Sequence, residues 1–189
     1  MSRRQIAQEL ECNFNTSGET VFHSDDIDRV RGVVCDPKYR TGVDRNLWIW
    51  EEYKQTNTYM ISADVARGDA EDFSAFLVFK LETMEVVAEY HGKITLDFFS
   101  DLLYNTGKEY GSCLMVVENN SVGFAVLEKL RDKEYPNIYY SIKSTHDYID
   151  PLAAQYNNSA VPGFSTTSKT RPLIIAKLEE FIRNKLITT

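Results

Sequence analysis

The chain has 189 residues, 43% of them hydrophobic and 12% aromatic, with 21 Lys plus Arg against 28 Asp plus Glu and a formal net charge of −7. That composition supports one folded domain with a real core, and it excludes collagen, coiled coil and whole-chain disorder. No apolar run approaches the ~20 residues of a membrane span, and Met1-Ser2-Arg3-Arg4-Gln5 is not followed by the apolar stretch of a secretion signal, so no membrane partner is expected.

Three widely spaced cysteines, Cys12, Cys35 and Cys113, read as thiols of a reducing compartment and not as a disulfide framework. His23, His91 and His146 stand alone without zinc-ligand spacing, and neither a GxxxxGK[ST] phosphate loop nor a GxGxxG fingerprint occurs. The charge is uneven. Up to Ile142 there are 15 basic and 24 acidic residues, and after it 6 basic and 4 acidic. Between Asp64 and Asp97 eight acids meet three bases.

In chain order, residues 1–55 read as an irregular leader: a short helix at residues 4–10, a polar loop at Asn15-Thr16-Ser17-Gly18, and turns at Asp36-Pro37 and Thr41-Gly42. Strands are expected at residues 59–64, 73–81 and 86–90, the last two joined by a turn so short that they form an antiparallel hairpin. A helix follows with Thr95 as N-cap and Leu96, Phe99, Leu102 and Leu103 on one face, ended by Gly107 and Gly111. The apolar run at residues 113–117 predicts a strand buried on both faces that delivers Glu118. A helix at residues 122–131, a short strand at 138–142 and a long loop at 143–168 come next. A final helix has Thr170 as cap, Pro172 in its first turn, and Leu173, Ile174, Leu178, Phe181 and Ile182 on an apolar face.

This order predicts an α/β, ribonuclease-H-like mixed sheet: an antiparallel three-strand meander plus parallel strands, with helices on both faces. The first and fourth strands are then neighbours, and Asp64 and Glu118 meet at one edge. Two converging carboxylates suit Mg2+, a hard cation held by one or two carboxylates plus water and phosphate oxygens. Two such ions would activate water and stabilise the leaving oxygen in phosphodiester hydrolysis. A turn opened by Asp64 before Gly68, with Glu118 capping the next helix, accounts for the same acids without chemistry. Asp69 and Asp72 fit either supporting acids or a solvated turn, and Asn119 and Asn120 fit either orienting or capping roles. His91 reads as a packed or surface histidine. Lys169 and Arg171 flank the start of the last helix, where DNA phosphate contact and ordinary solvated charge both fit.

The stretch Ile61-Ser62-Ala63-Asp64-Val65-Ala66-Arg67-Gly68-Asp69 with Asp72-Phe73-Ser74-Ala75, then Val116-Val117-Glu118-Asn119-Asn120 and Gly123, resembles the nuclease domain of the tailed-bacteriophage terminase large subunit. Glu9-Leu10-Glu11-Cys12-Asn13-Phe14 and Ser17-Gly18 resemble the end of that family's ATPase region and its linker, and Gly163-Phe164 through Leu186 resemble the segment after its fifth strand. The order and spacing of these motifs carry the resemblance, which spans nearly the whole chain.

The resemblance implies an endodeoxyribonuclease of the DNA-packaging motor that uses two divalent cations, Mg2+ or Mn2+, to cut concatemeric phage DNA. Asp64 and Glu118 would be the catalytic residues and metal ligands, and Asp72 a supporting metal-site acid close to the metals. Double-stranded DNA, the portal protein and the small terminase subunit would be partners, with an oligomer only in the assembled motor, in the host cytoplasm. Residues 1–55 would end the preceding ATPase region and residues 56–189 would form the nuclease domain, truncated at its C-terminus. The ATPase motifs are absent, so translocation is not expected. The family's third catalytic acid has no counterpart, Asp147 and Asp150 being poor substitutes, so weak or missing isolated activity is expected. Two other readings remain. One is a noncatalytic assembly domain of the same fold. The other is an actin-like ATPase half, against which Asp64-Val65-Ala66-Arg67-Gly68 lacks the glycines and hydroxyls that wrap phosphates. On the nuclease reading, cations offset the acid excess, and the metal-free domain should bind DNA poorly.

Overall fold

A computed structural model describes residues 21–67, 72–120, 122–142, 147–154 and 156–187. The core strand β3 (Tyr59–Asp64) alternates buried and open positions, the two-residue period of a sheet with one face packed. Its antiparallel neighbour β4 (Ser74–Lys80) buries Ser74, Phe76 and Val78 on the same side, and β5 (Glu85–Gly92) pairs with β4 in turn. On the other flank β6 (Leu114–Val117) runs parallel to β3. Two short strands, β1 (Tyr39–Thr41) and β2 (Leu47–Ile49), extend the sheet beyond β5, giving the order β1-β2-β5-β4-β3-β6. This is the ribonuclease-H-like mixed sheet that the strand order predicts.

Helices α2 (Leu96–Glu109) and α3 (Gly123–Asp132) pack on the buried face. Phe99, Leu103, Val126, Leu127 and Leu130 meet Ile61, Phe76, Val78, Tyr90, Met115 and Val117 there with almost no solvent exposure. Thr95 caps α2 as expected, its hydroxyl accepting from the Phe98 N–H. On the opposite face, Val34 and Cys35, which follow helix α1 (Ser24–Arg31), border a groove with Trp48, Trp50, Leu77, Val86 and Glu89. The Trp50 indole donates to the Cys35 carbonyl at 3.0 Å. Arg29 of α1 reaches the Ile182 carbonyl in helix α5 (Thr170–Arg183). Among the described residues no helix is long and apolar enough to cross a membrane.

Several local expectations are corrected. Residues 21–50 are not an irregular leader: Leu47 and Ile49 belong to the core, and β2 pairs with β5. Three-residue strands are too short to display a period in sequence. The β6 run is buried on one face only, with Leu114 and Val116 half-buried, because the second face of the sheet is open there. Gly107 lies inside α2, where a side chain would collide with Met115 and Tyr135, so the helix continues through it. The fifth strand is β7 (Tyr140–Ile142), which follows an Ile138–Met115 bridge to the main sheet and forms a second sheet, β8-β7-β9, with β8 (Tyr148–Ile149) and β9 (Ala160–Pro162). The long loop therefore contains two strands and a short helix, α4 (Pro151–Ala154). The leader helix at residues 4–10, the segments containing Cys12 and Gly18, and Gly68, Asp69 and His146 lie outside the described residues.

Candidate metal centre

Parallel pairing of β3 with β6 ends with Ala63 opposite Val117, and the Glu118 N–H donates to the Ala63 carbonyl at 2.9 Å. Strand alternation then puts Asp64 and Glu118 on the same face, side by side at the carboxyl ends of adjacent strands. The chain leaving β6 is held from the other side. Phe164 N–H donates to the Val117 carbonyl and Asn119 N–H to the Phe164 carbonyl, both at 2.9 Å.

Two glycines allow this convergence. A Cβ on Gly123 would fall onto the Glu118 carbonyl oxygen, far inside van der Waals contact. Gly163 has φ +79°, and a Cβ there would stand 2.5 Å from the Val117 carbonyl oxygen. Both ends of the Glu118 segment are therefore pressed by backbone that tolerates no side chain.

The electrostatics differ from those of the surrounding surface. The Asp64 pKa is raised because protein around the carboxyl withholds water, because it lies in hydrogen-bonding reach of Glu118, and because Glu118 carries like charge. The Val65 N–H opposes this, and the charge of Asp72 adds a smaller push upward. Glu118 Oε1 accepts from the Asn120 amide at 2.8 Å, and the same amide donates to the Thr166 carbonyl at 3.2 Å. Among the described residues no Lys or Arg pairs with Asp64, Asp72 or Glu118. Other acids nearby in sequence are neutralised: Glu51 and Glu85 by Lys80, and Asp97 by Lys129.

Two adjacent carboxylates with no cationic partner repel each other, and a hard divalent cation relieves that repulsion with the oxygen ligands it prefers. The donor set thus fits Mg2+ or a similar ion. Among the described residues no group of three or more His, Cys, Asp or Glu gathers as a metal cage. The protein would then offer Asp64 and Glu118, with the charge of Asp72 also acting on Asp64.

Glu118 does not cap α3, whose N-cap, Val122, has no side-chain hydrogen bond. Asn119 braces the neighbouring loop: its amide donates to the Pro162 carbonyl at 2.9 Å, and its Oδ1 accepts from Ser165 at 2.8 Å. Lys169 and Arg171 are exposed at the start of α5, whose first N–H groups are satisfied by the Thr167 hydroxyl and not, as expected, by Thr170. The Asn120 bridge from Glu118 to Thr166 ties this helix start to the carboxylates. Asp150 is occupied in capping α4, accepting from the N–H groups of Leu152 and Ala153, while Asp147 belongs to the second sheet's edge. The Asn120 bridge was not legible in sequence, since its partner stands 46 positions away.

A mixed sheet of ribonuclease-H type with paired acids at its parallel edge is thus established. The large terminase nuclease from thermophilic phage G20c, solved with bound magnesium, matches 89% of this chain and 72% of its own length at TM-score 0.63 and 18% identity. Its cobalt-bound form matches 86% and 72%, at TM-score 0.62 and 18% identity. The Thermus phage P74-26 large terminase nuclease domain matches 86% and 70%, at TM-score 0.59 and 16% identity. The chain has the large terminase nuclease fold. No family model and no curated protein matches it.

Proposed function

We propose that this chain is the metal-dependent DNA endonuclease domain of a viral terminase large subunit, hydrolysing phosphodiester bonds of concatemeric phage DNA during genome packaging. The observation that carries the reading is the Asp64–Glu118 pair, set side by side at the ends of parallel strands with no cationic partner among the described residues. Structures of the same fold were solved with cobalt, magnesium or zinc bound, which supports a divalent cation here; Mg2+ or Mn2+ is the proposed choice.

Asp64 and Glu118, with Asp72 as the supporting acid, would hold two divalent cations. Divalent cations held by these carboxylates would supply the Lewis acidity that activates water and offsets charge on a leaving oxygen. Asn120 keeps one Glu118 oxygen oriented, leaving the other free to bind. Lys169 and Arg171 receive the DNA backbone, with the register set through the Thr166–Asn120–Glu118 bridge. Double-stranded DNA is the substrate, the portal protein and small terminase subunit are the motor partners, and the host cytoplasm is the site of action.

A second reading, a noncatalytic assembly domain, draws on α5, where Leu173 is 70% and Ile174 42% exposed. Incubation with supercoiled plasmid in Mg2+ or Mn2+, against a chelator control, separates the two. Nicked and linear products only in the presence of metal support the nuclease. Intact plasmid together with no saturable divalent uptake supports the assembly domain.

A further inference from the structure

The open face of the sheet continues past the carboxylates. Asp64 lies opposite Ala75 on β4, and Ala75 lies opposite His91 on β5, so these residues stand in one row on one face. At about 4.8 Å per strand, His91 is about 10 Å from Asp64. There the His91 imidazole stacks on Phe73, ring centres 4.6 Å apart and planes 15° from parallel. Lys93, two positions further along, holds its ammonium 5.1 Å from the centre of the Phe73 ring. The Phe73 side is open to water, 46% exposed, and His91 and Lys93 are exposed as well. None of these side chains takes part in the metal centre.

We infer that Phe73, His91 and Lys93 form a ledge that stacks an unpaired nucleotide of the DNA strand being cut, two to three nucleotides from the bond positioned at Asp64 and Glu118. The spacing follows from about 3.4 Å of rise per nucleotide over a span of about 10 Å. Exposed aromatic rings accept a base or deoxyribose face without regard to sequence, and a lysine beside them meets the adjoining phosphate. Lys93 makes DNA the fitting occupant of this aromatic surface in a chain of net charge −7, because it places positive charge over the Phe73 ring that offsets the adjoining Asp72 where phosphates would pass. The ledge also lies in line with the carboxylate row, so one strand can lie along both. This inference rests on the nuclease reading and names the part of the substrate it adds.

The test measures binding of a fluorescein-labelled single strand and its duplex by anisotropy in Ca2+, with plasmid cleavage in Mn2+ measured in parallel. Phe73→Leu should weaken single-strand binding about tenfold, with an unchanged salt slope and an unchanged thermal midpoint. Phe73→Tyr, which keeps the ring, should bind as wild type. Lys93→Gln should lower the salt slope by about one phosphate contact. If Phe73→Leu binds and cuts like wild type while Asp64→Asn fails to cut, the ledge is overturned and the nuclease reading stands. Equal losses in Phe73→Leu and Phe73→Tyr with a lowered midpoint would also overturn it, because the ring would then be structural. Wild-type protein that binds neither oligonucleotide and cuts nothing would overturn both.

Discussion

Asp64 and Glu118 share one edge of the sheet because the Glu118 N–H closes the parallel ladder on the Ala63 carbonyl at 2.9 Å, leaving two like charges side by side. Burial of the Asp64 carboxyl, with the contact and like charge of Glu118 added to it, raises its pKa. A carboxyl whose folded pKa exceeds its ordinary value of about 3.9 binds its proton more tightly in the fold than in the unfolded chain. Metal-free stability should therefore fall as pH rises from that ordinary value through the raised one. Thermal unfolding in chelator should show the decline for wild type and a flatter profile for Asp64→Asn. Added Mg2+ should raise the wild-type midpoint near neutral pH and leave Asp64→Asn nearly unmoved.

The Gly123 backbone touches the Glu118 carbonyl so closely that Gly123→Ala must displace one of them. A displacement near 1 Å at a catalytic ligand costs about 100-fold in rate. Gly123→Ala should keep a native circular dichroism spectrum and lose about that much plasmid cleavage.

Asn120 joins Glu118 to Thr166, and so joins the acid edge to the start of α5. Removing a group that orients a metal ligand lowers metal affinity about 10- to 100-fold. Titration calorimetry with Mg2+ should show weaker binding for Asn120→Ala, while Asn105→Ala, an exposed change on α2, should bind as wild type.

Much of this architecture was legible in sequence. The strand Tyr59–Asp64 has the boundaries its alternation and flanking turns predict, and Thr95 caps α2 because a hydroxyl at that position satisfies a free helix N–H. The pairing of Asp64 with Glu118 followed from strand order alone. Less legible were features fixed by tertiary contact. β1 and β2 have three residues each and gain their place from pairing, β2 with β5 and β1 with β2. The Thr167 hydroxyl serves the helix start in place of Thr170, which is already the first helical residue and whose hydroxyl accepts from the Thr167 N–H at 2.8 Å. The role of Asn120 depends on a loop carbonyl brought up by the second sheet, which no local pattern announces.

Lys169 and Arg171 are exposed and, among the described residues, make no ion pair. Their contribution to DNA binding would be electrostatic. Replacing either with Gln should weaken binding to all sequences alike and reduce the salt slope by about one unit each, with no change in thermal midpoint. Without divalent metal, wild-type affinity should itself be low, since the uncompensated acids at Asp64, Asp72 and Glu118 repel phosphate.

The scaffold can be probed apart from the site. Leu103 is fully buried between α2 and the sheet. Leu103→Ala should cost about 2–5 kcal/mol in chemical denaturation while Mg2+ binding to the folded fraction persists.

The central claim is that DNA cleavage depends on the Asp64–Glu118 edge and on the cations it holds. Supercoiled plasmid incubated in Mn2+ with wild type, Asp64→Asn and Glu118→Gln measures this most directly. The account predicts nicked and linear DNA with wild type only, at the low rate expected of a chain lacking the third acid, and intact plasmid with either variant although both remain folded. Cleavage that persists undiminished in both variants would contradict it.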